Sequence, residues 1–200
     1  MAAQPEDVLD FWFGPPGTAT EVAGRQTKLW FGKSPENDRI VVERFATTLV
    51  AAAAGELASW TATPRGRLAL VIVLDQFPHH IHRDTPQAFA TDPQALEQSL
   101  AALAADEDRQ LPLVERVFLY LPLEHAESLA MQERAVALFE RLAHEAEPDV
   151  RAPFESFLDY ARKHRDVVAR SGRFPHRNAI LGRPSTPEEI EYLKLPGSRF

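Results

Sequence analysis

Residues 68–74 read Leu68-Ala69-Leu70-Val71-Ile72-Val73-Leu74, an unbroken apolar run rich in β-branched side chains. Taken alone, the run suits a buried strand as well as a helix, because so short an apolar stretch shows neither period. Its flanks decide. Upstream, Thr63-Pro64 sets a hydroxyl able to cap exposed N–H groups directly before a proline, whose fixed φ suits the first helical turn. Downstream, Asp75-Gln76-Phe77 carries the element on to Pro78. The segment 64–77 is therefore predicted to be one helix, apolar on nearly every side and enclosed by others.

The same punctuation recurs outward from this segment at Ser34-Pro35, Asp92-Pro93 and Thr186-Pro187, each predicted to cap a helix start. Glu189 lies three residues after Thr186, the spacing of a reciprocal capping box. The chain holds 29 alanines and no alternating apolar and polar stretch, so strands are not expected. Helices are predicted over 5–13, 20–31, 35–54, 64–77, 93–106, 112–121, 125–147, 149–171 and 187–194. The fold class is thus all-α, one domain over 1–200 with about eight or nine helices, as a helical-hairpin superhelix or a bundle. Prolines at 35, 64, 93 and 122 recur every 29 residues, but with 16 prolines in the chain this spacing carries little weight as a repeat.

Composition narrows the function classes. With 22 Lys and Arg against 29 Asp and Glu in 200 residues, the net charge is −7. That balance argues against nucleic acid or an anionic membrane as partner. The absence of cysteine removes disulfides, thiol nucleophiles and thiolate metal sites, and fits a reducing, cytoplasmic setting. Glu6, Asp7 and Asp10 interrupt any secretory leader at the start, and no apolar run nears the roughly 20 residues of a membrane span. Glycine-rich phosphate loops, dinucleotide fingerprints and nucleophile elbows are missing, so no cofactor is called for.

Three clusters carry candidate chemistry. The first, Asp75-Gln76-Phe77-Pro78-His79-His80-Ile81-His82-Arg83, follows the most apolar helix. Its histidines invite a metal reading, but adjacent side chains diverge and no paired-histidine helix motif occurs, so no metal is assigned. The second sets Glu124, His125 and Glu127 beside Pro122, with Gln132 and Glu133 further on; a carboxylate beside an imidazole can fix its tautomer or assist a general base. The steps His125, Leu129, Gln132, Val136, Phe139 and Ala143 would place His125 and Gln132 on the inward stripe of one helix. The third runs from His164, Arg165 and Asp166 through Gly172-Arg173-Phe174-Pro175-His176-Arg177-Asn178 to Gly182-Arg183. His164 follows Phe157 and Ala161 on the core stripe. Arginine forks bind carboxylates or phosphates bidentately, so this loop suits an anionic ligand. It equally suits a structural network in which Arg173 and Arg177 bind Glu124, Glu127 or Glu133.

Taken together, Val8-Leu9-Asp10-Phe11-Trp12-Phe13, Leu74-Asp75-Gln76-Phe77-Pro78, Phe118-Leu119-Tyr120-Leu121-Pro122-Leu123 with Glu124-His125 and Glu127, Gln132-Glu133, and the Gly172–Asn178 string with Leu181-Gly182-Arg183 resemble the bacterial domain-of-unknown-function family 924. The resemblance covers almost the whole chain. It implies a single all-helical domain similar to the tetratricopeptide-like class, and it brings no activity and no catalytic residues. Where the family continues Asp-Gln-Phe-Pro with arginine and asparagine, this chain has His79 and His80, which argues against a family-wide metal site there.

The leading expectation is an inward polar pocket for a small polar or anionic ligand, drawn from Gln76, His125, Gln132, Arg165, Arg173, Arg177 and Asn178. An enzymatic alternative takes His164 or His176 as general base and Asp75 or Glu124 as orienting carboxylate. A third expectation is a scaffold whose concave face binds a protein or peptide.

Overall fold

A computed structural model describes residues 2–198 of the chain. The α-helices are α1 (Pro5–Phe13), α2 (Ala19–Trp30), α3 (Pro35–Ala53), α4 (Pro64–Asp75), α5 (Phe77–Ile81), α6 (Asp92–Ala104), α7 (Leu113–His125), α8 (Leu129–Glu145), α9 (Ala152–Ser171) and α10 (Pro187–Tyr192). Short 3₁₀ turns at Ala58–Ala62, Pro86–Phe89, Glu107–Gln110 and Pro175–Arg177 complete the links, and no strand occurs among the described residues.

The decisive apolar run is helical and central. Every residue from Leu68 to Asp75 is buried, and α4 packs against α1, α3, α6 and α7. Encirclement of one helix by four others is the packing of a bundle, whereas a solenoid repeat touches only its neighbours. One apolar core runs from Val8 in α1 to Ala161 in α9. The aromatic opening belongs to it, with the Trp12 ring edge-on to Phe77 and Phe118 at 5.6 and 5.5 Å. No helix among the described residues is long and apolar enough to cross a membrane.

Local cap chemistry forms where it was expected at three of four sites. Ser34 Oγ accepts from the Asn37 N–H at 3.3 Å and Thr63 Oγ1 from Gly66 at 3.1 Å. Thr186 and Glu189 exchange both bonds of the capping box, at 3.2 and 2.8 Å. Asp92 differs: no side chain caps α6, Thr91 precedes it as the cap residue, and the Asp92 carboxylate turns to Arg177.

Other helix boundaries differ by up to four residues, and two of these shifts, at prolines, reshape the candidate clusters. The expected helix 64–77 ends at Asp75, because Pro78 has no N–H for the Leu74 carbonyl four residues back. The Thr91 hydroxyl donates to that carbonyl instead, at 2.6 Å. Conversely, α7 runs through Pro122 to His125 rather than stopping at 121, and α8 begins at Leu129, so His125 ends α7 instead of opening the next helix. Burial of Leu121, Pro122, Leu123 and Glu124 outweighs the one backbone bond that the proline forgoes.

Candidate functional site

The C-terminal ends of α4 and α7 bring Asp75 and His125 together in the interior. Asp75 is 0% exposed; its Oδ1 accepts from His125 Nδ1 at 2.9 Å and its Oδ2 from the Gln76 side-chain amide at 2.6 Å. A carboxylate only accepts, so His125 carries a proton on Nδ1 and Nε2 is left for other work. Burial opposes the charge of both partners, yet their mutual attraction prevails. Asp75 is held below the usual carboxylate range and His125 is raised above the ordinary imidazole value.

A second dyad lies beside the first. His164 Nδ1 is 2.9 Å from both the Tyr160 carbonyl and Glu124 Oε1, and carbonyls likewise only accept, which fixes the same tautomer. The His125 and His164 rings are 6.4 Å apart, and the His79 ring approaches His125 at 5.7 Å from α5. Burial, then repulsion from His125, pushes His79 down to about 3, so it is neutral at ordinary pH.

In front of His125 opens a cleft of about 410 Å³. Its apolar walls come from Pro86, Phe89, Pro93, Leu96, Pro122 and Leu181, and its polar end from Asp92, His125, Glu127 and Arg177. Arg177 is only 7% exposed. Its guanidinium carbon stands over the rings of Phe89 and Phe174, 4.5 and 4.7 Å from their centroids. One hydrogen bond, Nη1 to Asp92 Oδ2 at 3.2 Å, ties it to a carboxylate. Arg177 Nε and Asp92 Oδ1 are both buried with no hydrogen-bond partner among the described residues.

The two acidic pairs behave oppositely. Burial, then the charge of Asp75, pushes Asp92 up to about 6 against the pull of Arg177 and His125. Burial also works against the Arg177 charge, so desolvation dominates at this pair while mutual attraction dominates between Asp75 and His125.

The segment after α9 delivers Arg177. Glu127 accepts from the Phe174 N–H at 2.7 Å and from both Arg183 Nη atoms at 2.6 and 2.8 Å, and these partners outweigh burial to hold it ionised. Arg183 Nε in turn donates to Asn178 Oδ1 at 3.0 Å, whose amide nitrogen donates to Ser185 and Glu189. Arg173 forks onto Glu189 at 2.7 and 2.8 Å. Burial, then the Arg177 charge, lowers His176 to about 4, and its ring stands 5.7 Å from Phe174.

Among the residues proposed from sequence, Asp75, Gln76, Glu124, His125, His164 and Arg177 therefore build the two dyads and the cleft. Arg173 and Asn178 fasten the segment that supplies Arg177. Gln132 caps α7, donating its amide protons to the Glu124 and Ala126 carbonyls at 2.5 and 2.7 Å. Arg165 turns to Asp166 at the surface, at 2.6 Å. The arginines do meet carboxylates, but at Glu189, Asp92 and Glu127 rather than in the pairings foreseen. Asp92 and Phe89 were missed, since an aspartate before a proline carries the same local signal as a helix cap. Among the described residues no three His, Cys, Asp or Glu side chains are placed to hold a metal ion.

Residues 8–197 match the family described as bacterial protein of unknown function, DUF924. The chain belongs to this family. A solved structure of a protein of unknown function from Agrobacterium tumefaciens is similar at 38% identity and a TM-score of 0.80, over 95% of this chain and 96% of that one. No curated protein matches. Membership fixes the fold and leaves the chemistry of the cleft to its own residues.

Proposed function

We propose that the cleft binds a small molecule with an anionic head and an apolar body, the head at Arg177 and His125 and the body along Phe89, Pro93 and Leu96. The observation that carries this reading is Arg177, a buried guanidinium in contact with two rings beside a cleft and hydrogen-bonded to a carboxylate by one 3.2 Å bond. A volume of about 410 Å³ suits a small molecule rather than an extended peptide segment. A second reading, supported by the Asp75–His125 dyad, is that His125 exchanges a proton with the bound molecule.

Thermal unfolding with millimolar hexanoate, hexylamine and hexanol tests the binding reading. Hexanoate is expected to raise Tm, by roughly 5–10 °C at a hundredfold excess over Kd, since about 2.7 kcal/mol of binding free energy then favours the folded state. The rise is expected to vanish in Arg177→Met. No shift with any anionic probe, in a protein that still unfolds cooperatively, overturns the reading.

A further inference from the structure

Resting on that reading, we infer that the ligand is a small monocarboxylate taken up together with one proton, which Asp92 receives as Arg177 transfers its pairing to the incoming carboxylate. Neutral Asp92 then donates a hydrogen bond to the ligand from its own carboxyl group.

Geometry supplies the starting point. The Arg177 guanidinium carbon stands over the rings of both Phe89 and Phe174, which leaves its N–H groups as the part that engages a ligand. Of these, Nε has no partner among the described residues, and on the facing carboxylate Oδ1 has none either. A planar guanidinium whose Nε–H is unpaired can offer it, with a neighbouring Nη–H, to the two oxygens of a carboxylate. The N-terminus of α6 adds a favourable field: no side chain caps it, because Thr91 gives its hydroxyl to the Leu74 carbonyl.

Charge arithmetic then selects the ligand class. The charged groups acting on Asp92 are Asp75 from α4, His125 from α7 and Arg177 from the C-terminal segment; His79, Glu127, His176 and Arg183 surround Arg177, and the Glu124–His164 dyad stands beside His125. His79 and His176 are neutral near pH 7, held at about 3 and about 4. Asp75 is paired with His125, Glu124 with His164, and Glu127 with Arg183. What remains is one guanidinium for one carboxylate. An entering monocarboxylate makes two anions compete for it, and like charges sharing one site drive a proton onto one of them. Asp92 is the one already disposed to take it. A phosphate monoester brings nearly two charges at pH 7, and would leave an unpaired anion buried even after Asp92 is protonated.

Calorimetric titration of hexanoate at pH 7, in two buffers of different protonation enthalpy, reads the proton directly. With the Asp92 carboxyl at about 6, uptake in the wild-type protein should exceed that in Asp92→Asn by about 0.9 proton per ligand. The difference between the two removes whatever His125 contributes to both. Asp92→Asn should bind hexanoate about tenfold more tightly at pH 7, because it no longer needs the protonated tenth of the population. Hexyl phosphate should bind neither protein. Equal proton uptake in wild type and variant, or tighter binding of hexyl phosphate, overturns this inference while the anion-binding reading stands. Failure of every probe to bind the wild type overturns both. The ¹³C carboxyl resonance of Asp92 in the wild type gives a check free of any variant: its titration midpoint should rise above 7 with hexanoate, and an unmoved midpoint refutes the proposal.

Discussion

Replacing Asp75 with asparagine isolates the charge at the centre of the site while keeping its shape. The wild-type carboxylate is 0% exposed and accepts two short bonds, from His125 at 2.9 Å and Gln76 at 2.6 Å. Asparagine retains one acceptor oxygen, which can stay on His125 Nδ1–H, while the Gln76 amide turns over to meet the new NH₂ group. What is lost is the negative charge facing a buried imidazolium. Breaking such a pair costs about 3 kcal/mol, against about 1 kcal/mol for a neutral hydrogen bond. For a chain of this length that corresponds to roughly 6–12 °C in Tm. The pH dependence follows from the two shifts. Asp75 is lowered, so its contribution is present above its ordinary value of 3.8 and is lost as pH falls through its depressed value. His125 is raised, so its contribution is full below 6.5 and is lost as pH rises through the elevated value. The deficit of Asp75→Asn should therefore be greatest between about 4 and 6.5 and shrink toward pH 9. Urea unfolding of both proteins at pH 5.5 and pH 9 measures it, and the His125 ring resonance should titrate lower in the variant. A deficit equal at both pH values, or larger at pH 9, refutes the charged dyad.

Gln132→Leu should lower stability by about 1–3 kcal/mol, since it leaves the buried Glu124 and Ala126 carbonyls without their donor; denaturant unfolding measures this, and a neutral result would show that another group caps α7. Gly66→Ala should lower Tm although alanine is the better helix former, because its Cβ would collide with the Trp60 carbonyl oxygen. A rise in Tm would show that the 3₁₀ turn before α4 yields freely.

The parts of this structure that were legible in sequence are those decided within three or four residues. Caps at Ser34, Thr63 and Thr186 bind the N–H three positions on, and their signals survive any tertiary arrangement. The stripe on α9 correctly turned His164 inward, to 7% exposure. Where distant groups compete, local reading fails. Asp92 has the context of a cap, but Arg177, 85 residues away, claims its carboxylate. Pro122 reads as a stop, yet buried neighbours and Gln132 carry α7 past it. The carboxylates and imidazoles of the two dyads were named from sequence, but the pairing of Asp75 with His125 joins helices 50 residues apart and only folding selects it. Composition announced the arginines of the C-terminal segment as a local reversal of charge, without revealing which one reaches the cleft.

That segment is bound to the helical body in an unusual currency. Beyond the Phe174 ring with its small apolar cluster at Val167 and Val168, and the Arg177 contact with Phe89, its hydrogen-bonded anchors on the helical body include Glu127 and Asp92. Protonation of these carboxylates in acid weakens such anchors far more than it weakens the apolar core around α4. The segment is thus the natural cooperative unit to detach first, exchanging its amide hydrogens at a free energy well below that of global unfolding. Because Arg177 rides on it, detachment of this segment would remove the anion receptor while leaving the bundle intact, so the cleft's affinity and the protein's stability are governed by different forces.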